Sequence, residues 1–163
     1  MNLTLYRNLN LAAAIICAGL VAYAFYTQFY EGLEPCPLCI FQRVAMIVLC
    51  ALFLLAAAHH PGKLGVRVYA VLIALVALTG AAIAGRHVWI QHLPADQVPE
   101  CGPSLSYMLD VFPLNETLAM VFTGSGECAK VHWMFLGLSM PAWVLLWFML
   151  LGGIGLWVNW RVR

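Results

Sequence analysis

The chain has 163 residues, of which 64% are hydrophobic and only 9% charged, and its formal net charge is +1. A soluble domain of this size cannot hide that much apolar surface, and so small a net charge argues against nucleic acid as a partner. With a mean hydropathy of +0.89, the expectation is one compact integral membrane domain, with no internal repeat or low-complexity tract.

Four segments are long and apolar enough to cross about 30 Å of hydrocarbon. In chain order they are Leu9–Phe29, Ile40–Ala58, Val66–Ile83 and Ala142–Val158. The alternative for the first is a cleaved signal peptide, because Arg7 precedes it and "AYA" lies within it. The run is longer than a typical signal core, and removing it would leave an odd number of spans. Arg7, the link "HHPGKLGVR" and the tail with Arg161 and Arg163 fall on one side, which the positive-inside tendency makes cytoplasmic. All the acidic residues fall on the other side. Both termini are therefore expected inside, with a short outer loop over 30–39 and a long one over 85–140.

Between the first two spans stands "EPCPLCIFQR". Pro37 suits the first position of a helix, where its missing N–H costs nothing. Cys39 then lies in the first turn, where free N–H groups and the helix dipole stabilise a thiolate. Arg43 follows four residues later on the same face and adds a fixed positive charge. Cys36, one step outward, is better placed for exchange with other sulfurs. Cys17 and Cys50 fall inside spans one and two and read as small buried hydrophobes.

The long outer loop is too long for a passive connector. It carries Cys101 and Cys128, in a compartment where disulfides persist. Pro94, Pro99, Pro103 and Pro113 predict extended or turning backbone. Within "PLNETLAMVFTGSG", Asn115 can cap a short helix whose Leu118, Val121 and Phe122 share one face, with Gly124 or Gly126 as the stop. That apolar face is expected in the membrane interface, or else packed on protein. Trp133 and Trp143 suit the headgroup level, and Pro141 starts the last span. A zinc or iron–sulfur site would want two closely spaced ligand pairs. Cys101 and Cys128, 27 positions apart, form no second C-x-x-C, so no metal is expected.

"CPLCIFQR" and "GECAKVHWMFLGLSMPAW" resemble segments of the bacterial disulfide bond formation protein B (DsbB) family. The resemblance covers nearly the whole chain. It implies an all-α, four-transmembrane-helix bundle in the bacterial inner membrane, with a long periplasmic loop carrying the short interfacial helix. It also implies a thiol:quinone oxidoreductase that reoxidises a periplasmic DsbA-like thioredoxin-fold oxidase. Electrons would pass to ubiquinone or menaquinone. By this resemblance Cys101 is attacked by the partner, and Cys128 resolves it and exchanges with Cys36. Cys39 faces the quinone, and Arg43 holds the Cys39 thiolate and the quinone oxygen. His92, in "GRHVWIQH", matches a quinone-proximal histidine of the family, with His87 and Arg86 as the other candidates. The family's own partner, DsbA, has a known potential near −120 mV, so the acceptor must be strongly oxidising; glutathione is not. Two other readings remain: a membrane thiol reductase working in the opposite direction, and a non-enzymatic membrane protein with structural disulfides. The first lacks a cysteine pair on the cytoplasmic side.

Overall fold

The computed structural model describes residues 3–59, 62–94, 96–98, 105–131 and 133–160. Cys101, His60 and His132 lie outside them. Four of the described helices are long and apolar enough to cross a membrane. They are α1 (Leu3–Phe29), α2 (Pro37–Ala58), α3 (Lys63–Gln91) and, after three short helices, α7 (Met140–Trp160). The chain is thus an all-α membrane protein, as expected.

Local sequence sets the ends of these helices. Cys36 is extended (φ −67°, ψ 163°) and Pro37 opens α2 behind it. Pro141 stands in the first turn of α7. The third span corrects the expected boundary, since α3 continues from Ile83 to Gln91. No proline occurs there, and Arg86, His87 and Gln91 have protein partners.

The three short helices are α4 (Leu105–Val111), α5 (Leu114–Thr123) and α6 (Gly126–Ala129). The expected helix in this region is α5, but Asn115 does not cap it; the extended residue ahead of it is Pro113. Gly124 stops the helix at φ +87°, and its N–H reaches the carbonyls of Met120 and Val121. Arg86 of α3 then donates to the carbonyls of Phe122 (3.2 Å) and Thr123 (3.1 Å). A guanidinium at a helix C-terminus satisfies carbonyls that have no partner within the helix. This contact ties the end of α3 to α5. Val121 is buried against protein, while Leu114 and Phe122 stay exposed.

A small hairpin follows, with β1 (Met134–Phe135) antiparallel to β2 (Leu138–Ser139). Its turn residues Leu136 and Gly137 both have positive φ, the conformation that matches strand twist in a two-residue loop. Ser139 donates to Gln91 at 2.7 Å, and Trp143 Nε1 donates to the Phe135 carbonyl at 3.0 Å. The hairpin is thereby held between α3 and α7.

The bundle core is built from Phe53, Phe148, Leu49, Ile73 and Leu151, with Cys17 fully buried among them. The chief helix packings are α3 on α7, α1 on α2 and α2 on α3. Small residues let α3 and α7 approach. A β-carbon at Gly155 would come within 2.5 Å of Ile73 Cγ2. At the far end from Cys36, Tyr6 donates to Asn159 (2.9 Å), which donates to Asn10 (3.1 Å). Such side-chain bonds hold membrane helices together where apolar packing alone gives little preference over lipid.

Candidate functional site

At the other end, a second buried cluster joins Cys36 and Leu38 to Ile83, Ile90, Met108, Val121 and Cys128. The start of α2, the end of α3 and the helices α4 to α6 all contribute to it. Cys36 Sγ lies 3.1 Å from Cys39 Sγ, as expected for the first and last residues of a C-x-x-C on a helix start. Cys128 Sγ, in α6, lies within 4.8 Å of Cys36 Sγ. Three thiols from two distant parts of the chain therefore meet.

His87 stands among them and is 3% exposed. Its Nε2 lies 3.8 Å from Cys36 Sγ and 3.1 Å from the Cys128 carbonyl oxygen. Its Nδ1 lies 3.9 Å from Cys39 Sγ and accepts from the Gln42 side-chain amide at 3.0 Å. With Gln42 donating to Nδ1, the ring proton sits on Nε2 and points to the Cys128 carbonyl. Cys128 also contacts the Ser125 hydroxyl at 3.7 Å. The neighbouring Cys36 thiol comes first, then burial, in raising the Cys128 pKa above the ordinary thiol range.

On the other side of Gln42 opens a cavity of about 440 Å³. Leu20, Val21, Met46, Val144 and Trp147 give it apolar walls, while Cys39, Gln42 and Arg43 supply polar groups. The hairpin covers it with Trp133 and Phe135. Arg43 is held by α1: Nη1 donates to Gln28 (2.5 Å), Nη2 donates to the Ala24 carbonyl (3.0 Å), and the guanidinium lies 4.5 Å from the Phe25 ring centre. Its buried Nε has no hydrogen-bond partner among the described residues.

The expected residues Cys36, Cys39 and Cys128 are thus brought together, with Arg43 one turn beyond Cys39. Cys101 lies outside the described residues. His92 is not in this group: it is exposed just past α3, with Nδ1 2.8 Å from the Val88 carbonyl. The histidine beside the thiols is His87, because α3 continues far enough to carry it inward. His87 was the alternative candidate, whereas Gln42 was not among the expected residues. Two signals pointed to these residues. Gln42 is three residues after Cys39, and Ile83, His87 and Ile90 follow helical spacing on one buried face.

A family model described as "Disulfide bond formation protein DsbB" matches residues 6–158. A protein of Methylococcus capsulatus described as "Disulfide bond formation protein B" is 55% identical over 163 residues, covering 100% of this chain and 99% of the relative. One of Nitrosococcus oceani with the same description is 58% identical over 142 residues, covering 87% of this chain and 84% of the relative. A third, from Hahella chejuensis, is 50% identical over 157 residues, covering 96% and 94%.

Proposed function

The chain belongs to the DsbB family of disulfide bond formation proteins, and on that premise we propose that it is a membrane thiol:quinone oxidoreductase. Its donor is a periplasmic thioredoxin-fold oxidase of the DsbA kind. Its place is the bacterial inner membrane, with both termini in the cytoplasm. Membership of the family brings with it a role in disulfide formation. The observation that supports it most is the position of Cys39. It reaches the cavity beside Arg43, while Cys36 and Cys128 lie behind it.

The cavity residues fit a quinone. The walls suit an isoprenoid-bearing ring, and Arg43 keeps a buried Nε donor without a partner among the described residues. Cys39, Gln42 and Arg43 would hold the ring. A bound quinone supplies an acceptor for two electrons and two protons.

The cysteines carry the rest. The donor's thiolate attacks Cys101 of a Cys101–Cys128 disulfide, forming a mixed disulfide and releasing Cys128. Cys128 leaves as a thiolate and must still be one when it attacks Cys36. His87 Nε2 stands 3.8 Å from Cys36 Sγ, against the sulfur under attack. Attack on Cys36 of a Cys36–Cys39 disulfide releases Cys39 as a thiolate beside the cavity. The donor's second thiol then closes its own disulfide and frees Cys101, which attacks Cys128, re-forms the Cys101–Cys128 bond and releases Cys36. Each cycle oxidises two donor thiols and delivers two electrons to the Cys39 side.

The test is stoichiometry with purified, detergent-solubilised protein. One quinone should be reduced for every two thiols lost from a reduced DsbA-like donor. Thiol loss without quinone reduction, with the protein folded and both ubiquinone and menaquinone analogues tried, would sink the proposal.

A further inference from the structure

We propose that the fully reduced protein captures one thiophilic divalent cation, of the zinc or cadmium kind, between Cys36, Cys128 and His87, with Cys39 as the fourth ligand. The donor atoms of Cys36, His87 and Cys128 lie within 4.8 Å of one another, and all three residues are buried. Cys39 Sγ is 3.1 Å from Cys36 Sγ. Around a tetrahedral zinc ion, sulfur and nitrogen donors stand about 3.3–3.8 Å apart, so a contraction of about 1 Å or less brings Cys36, His87 and Cys128 to ligand spacing, and Cys39 must turn toward them to complete the site. Three sulfurs and one imidazole form a donor set that soft cations favour over magnesium or calcium.

Gln42 supplies what such a site needs behind its histidine. Its amide faces His87 Nδ1 at 3.0 Å. Turning that amide over presents the oxygen to an Nδ1–H and leaves a lone pair on Nε2. A metal-bound histidine is normally held by such an acceptor on its other nitrogen. Sequence spacing offered no second cysteine pair; the fold brings the missing donors from α3 and α6.

Binding is gated by redox state. A Cys36–Cys39 disulfide removes two of the sulfurs, and a Cys101–Cys128 disulfide removes a third. The cation therefore enters only when both pairs are reduced, and it displaces the thiol protons as it binds. A bound ion occupies the two sulfurs that must exchange, so the metal form is idle. That last consequence rests on the proposed function; the binding does not.

The experiment titrates quinone-free, detergent-solubilised protein, reduced and then freed of reductant, with cadmium chloride. The readouts are the ultraviolet thiolate-to-cadmium absorption and the bound ion per chain after dialysis. One ion is expected for the reduced wild type and for Cys50→Ser, and none for the disulfide form. Cys36→Ser should lose the absorption, and Gln42→Leu should weaken binding about 10- to 100-fold. Equal binding by oxidised protein, by Cys36→Ser or by His87→Ala overturns the proposal, as does no binding to reduced wild type. Because no quinone is turned over, this outcome is independent of the oxidoreductase test. Variant melting curves in the same detergent identify misfolding, and Gln42→Leu, which keeps every ligand, carries the test if the cysteine variants unfold.

Discussion

Gln42 donates to His87 Nδ1 across 3.0 Å, linking the helix that carries the C-x-x-C pair to the ring that faces Cys36, Cys39 and Cys128. Both side chains are nearly excluded from solvent. Gln42→Leu leaves a buried ring nitrogen without its partner, at a cost of about 1–3 kcal/mol. A ring that is no longer held should slow thiol exchange about 10- to 100-fold. Gln42→Glu can accept from an Nδ1–H and should retain more activity than Gln42→Leu. Quinone-reduction rates, normalised to folded protein by thermal melting, check this. Equal rates in wild type and Gln42→Leu would remove His87 from the exchange step.

Cys128 offers a pH signature. Its pKa is raised by the neighbouring Cys36 thiol first and by burial second. The folded state thus favours the neutral thiol. The resulting stability is complete below about pH 8.5, where an unfolded thiol titrates, and is lost as pH rises through the higher folded value. Reduced protein should therefore melt at progressively lower temperature above about pH 8.5. Alkylation of Cys128 should keep accelerating beyond that point. Cys36→Ala removes the first cause and should bring the alkylation midpoint down. A wild-type plateau near pH 8.5 would contradict this.

Arg43 is fixed to α1 by two of its nitrogens, and its Nε is buried without a partner among the described residues. A lysine keeps the charge but cannot reproduce this fork. Losing hydrogen bonds from a charged group costs about 1.5–3 kcal/mol. Arg43→Lys should therefore raise KM for quinone about 10- to 100-fold, with little change in KM for the thiol donor. Steady-state kinetics with each substrate varied in turn measure the two. A rise confined to the donor would move Arg43 away from the quinone.

Gly155 lets α3 and α7 meet, and Gly153 faces open space. Gly155→Leu should lower stability by about 1–3 kcal/mol through overpacking against Ile73 and Phe53. Gly153→Leu should melt like wild type. Thermal unfolding in one detergent compares them, and equal melting of the two variants would contradict the packing described.

The four spans were legible because uninterrupted apolar runs have few other uses. Pro37 and Pro141 marked two helix starts for the same local reason. The end of α3 was not legible. Arg86 and His87 look like loop residues until α5 offers carbonyls to one and the thiols surround the other. That difference decided which histidine joins the site. The hairpin was missed because two-residue strands leave no periodicity to detect. Cys128 beside Cys36 is a contact between positions 92 apart; spacing cannot supply it, and only the family resemblance implied it.

The central claim is a route, in through Cys101 and out through Cys39. The most direct measurement is a single turnover of oxidised protein with reduced DsbA-like donor and quinone, run beside Cys39→Ser and Cys101→Ser. Cys39→Ser should still accept the donor as a mixed disulfide at Cys101 yet reduce no quinone, while Cys101→Ser should do neither. Quinone reduction at the wild-type rate by either variant would contradict the route.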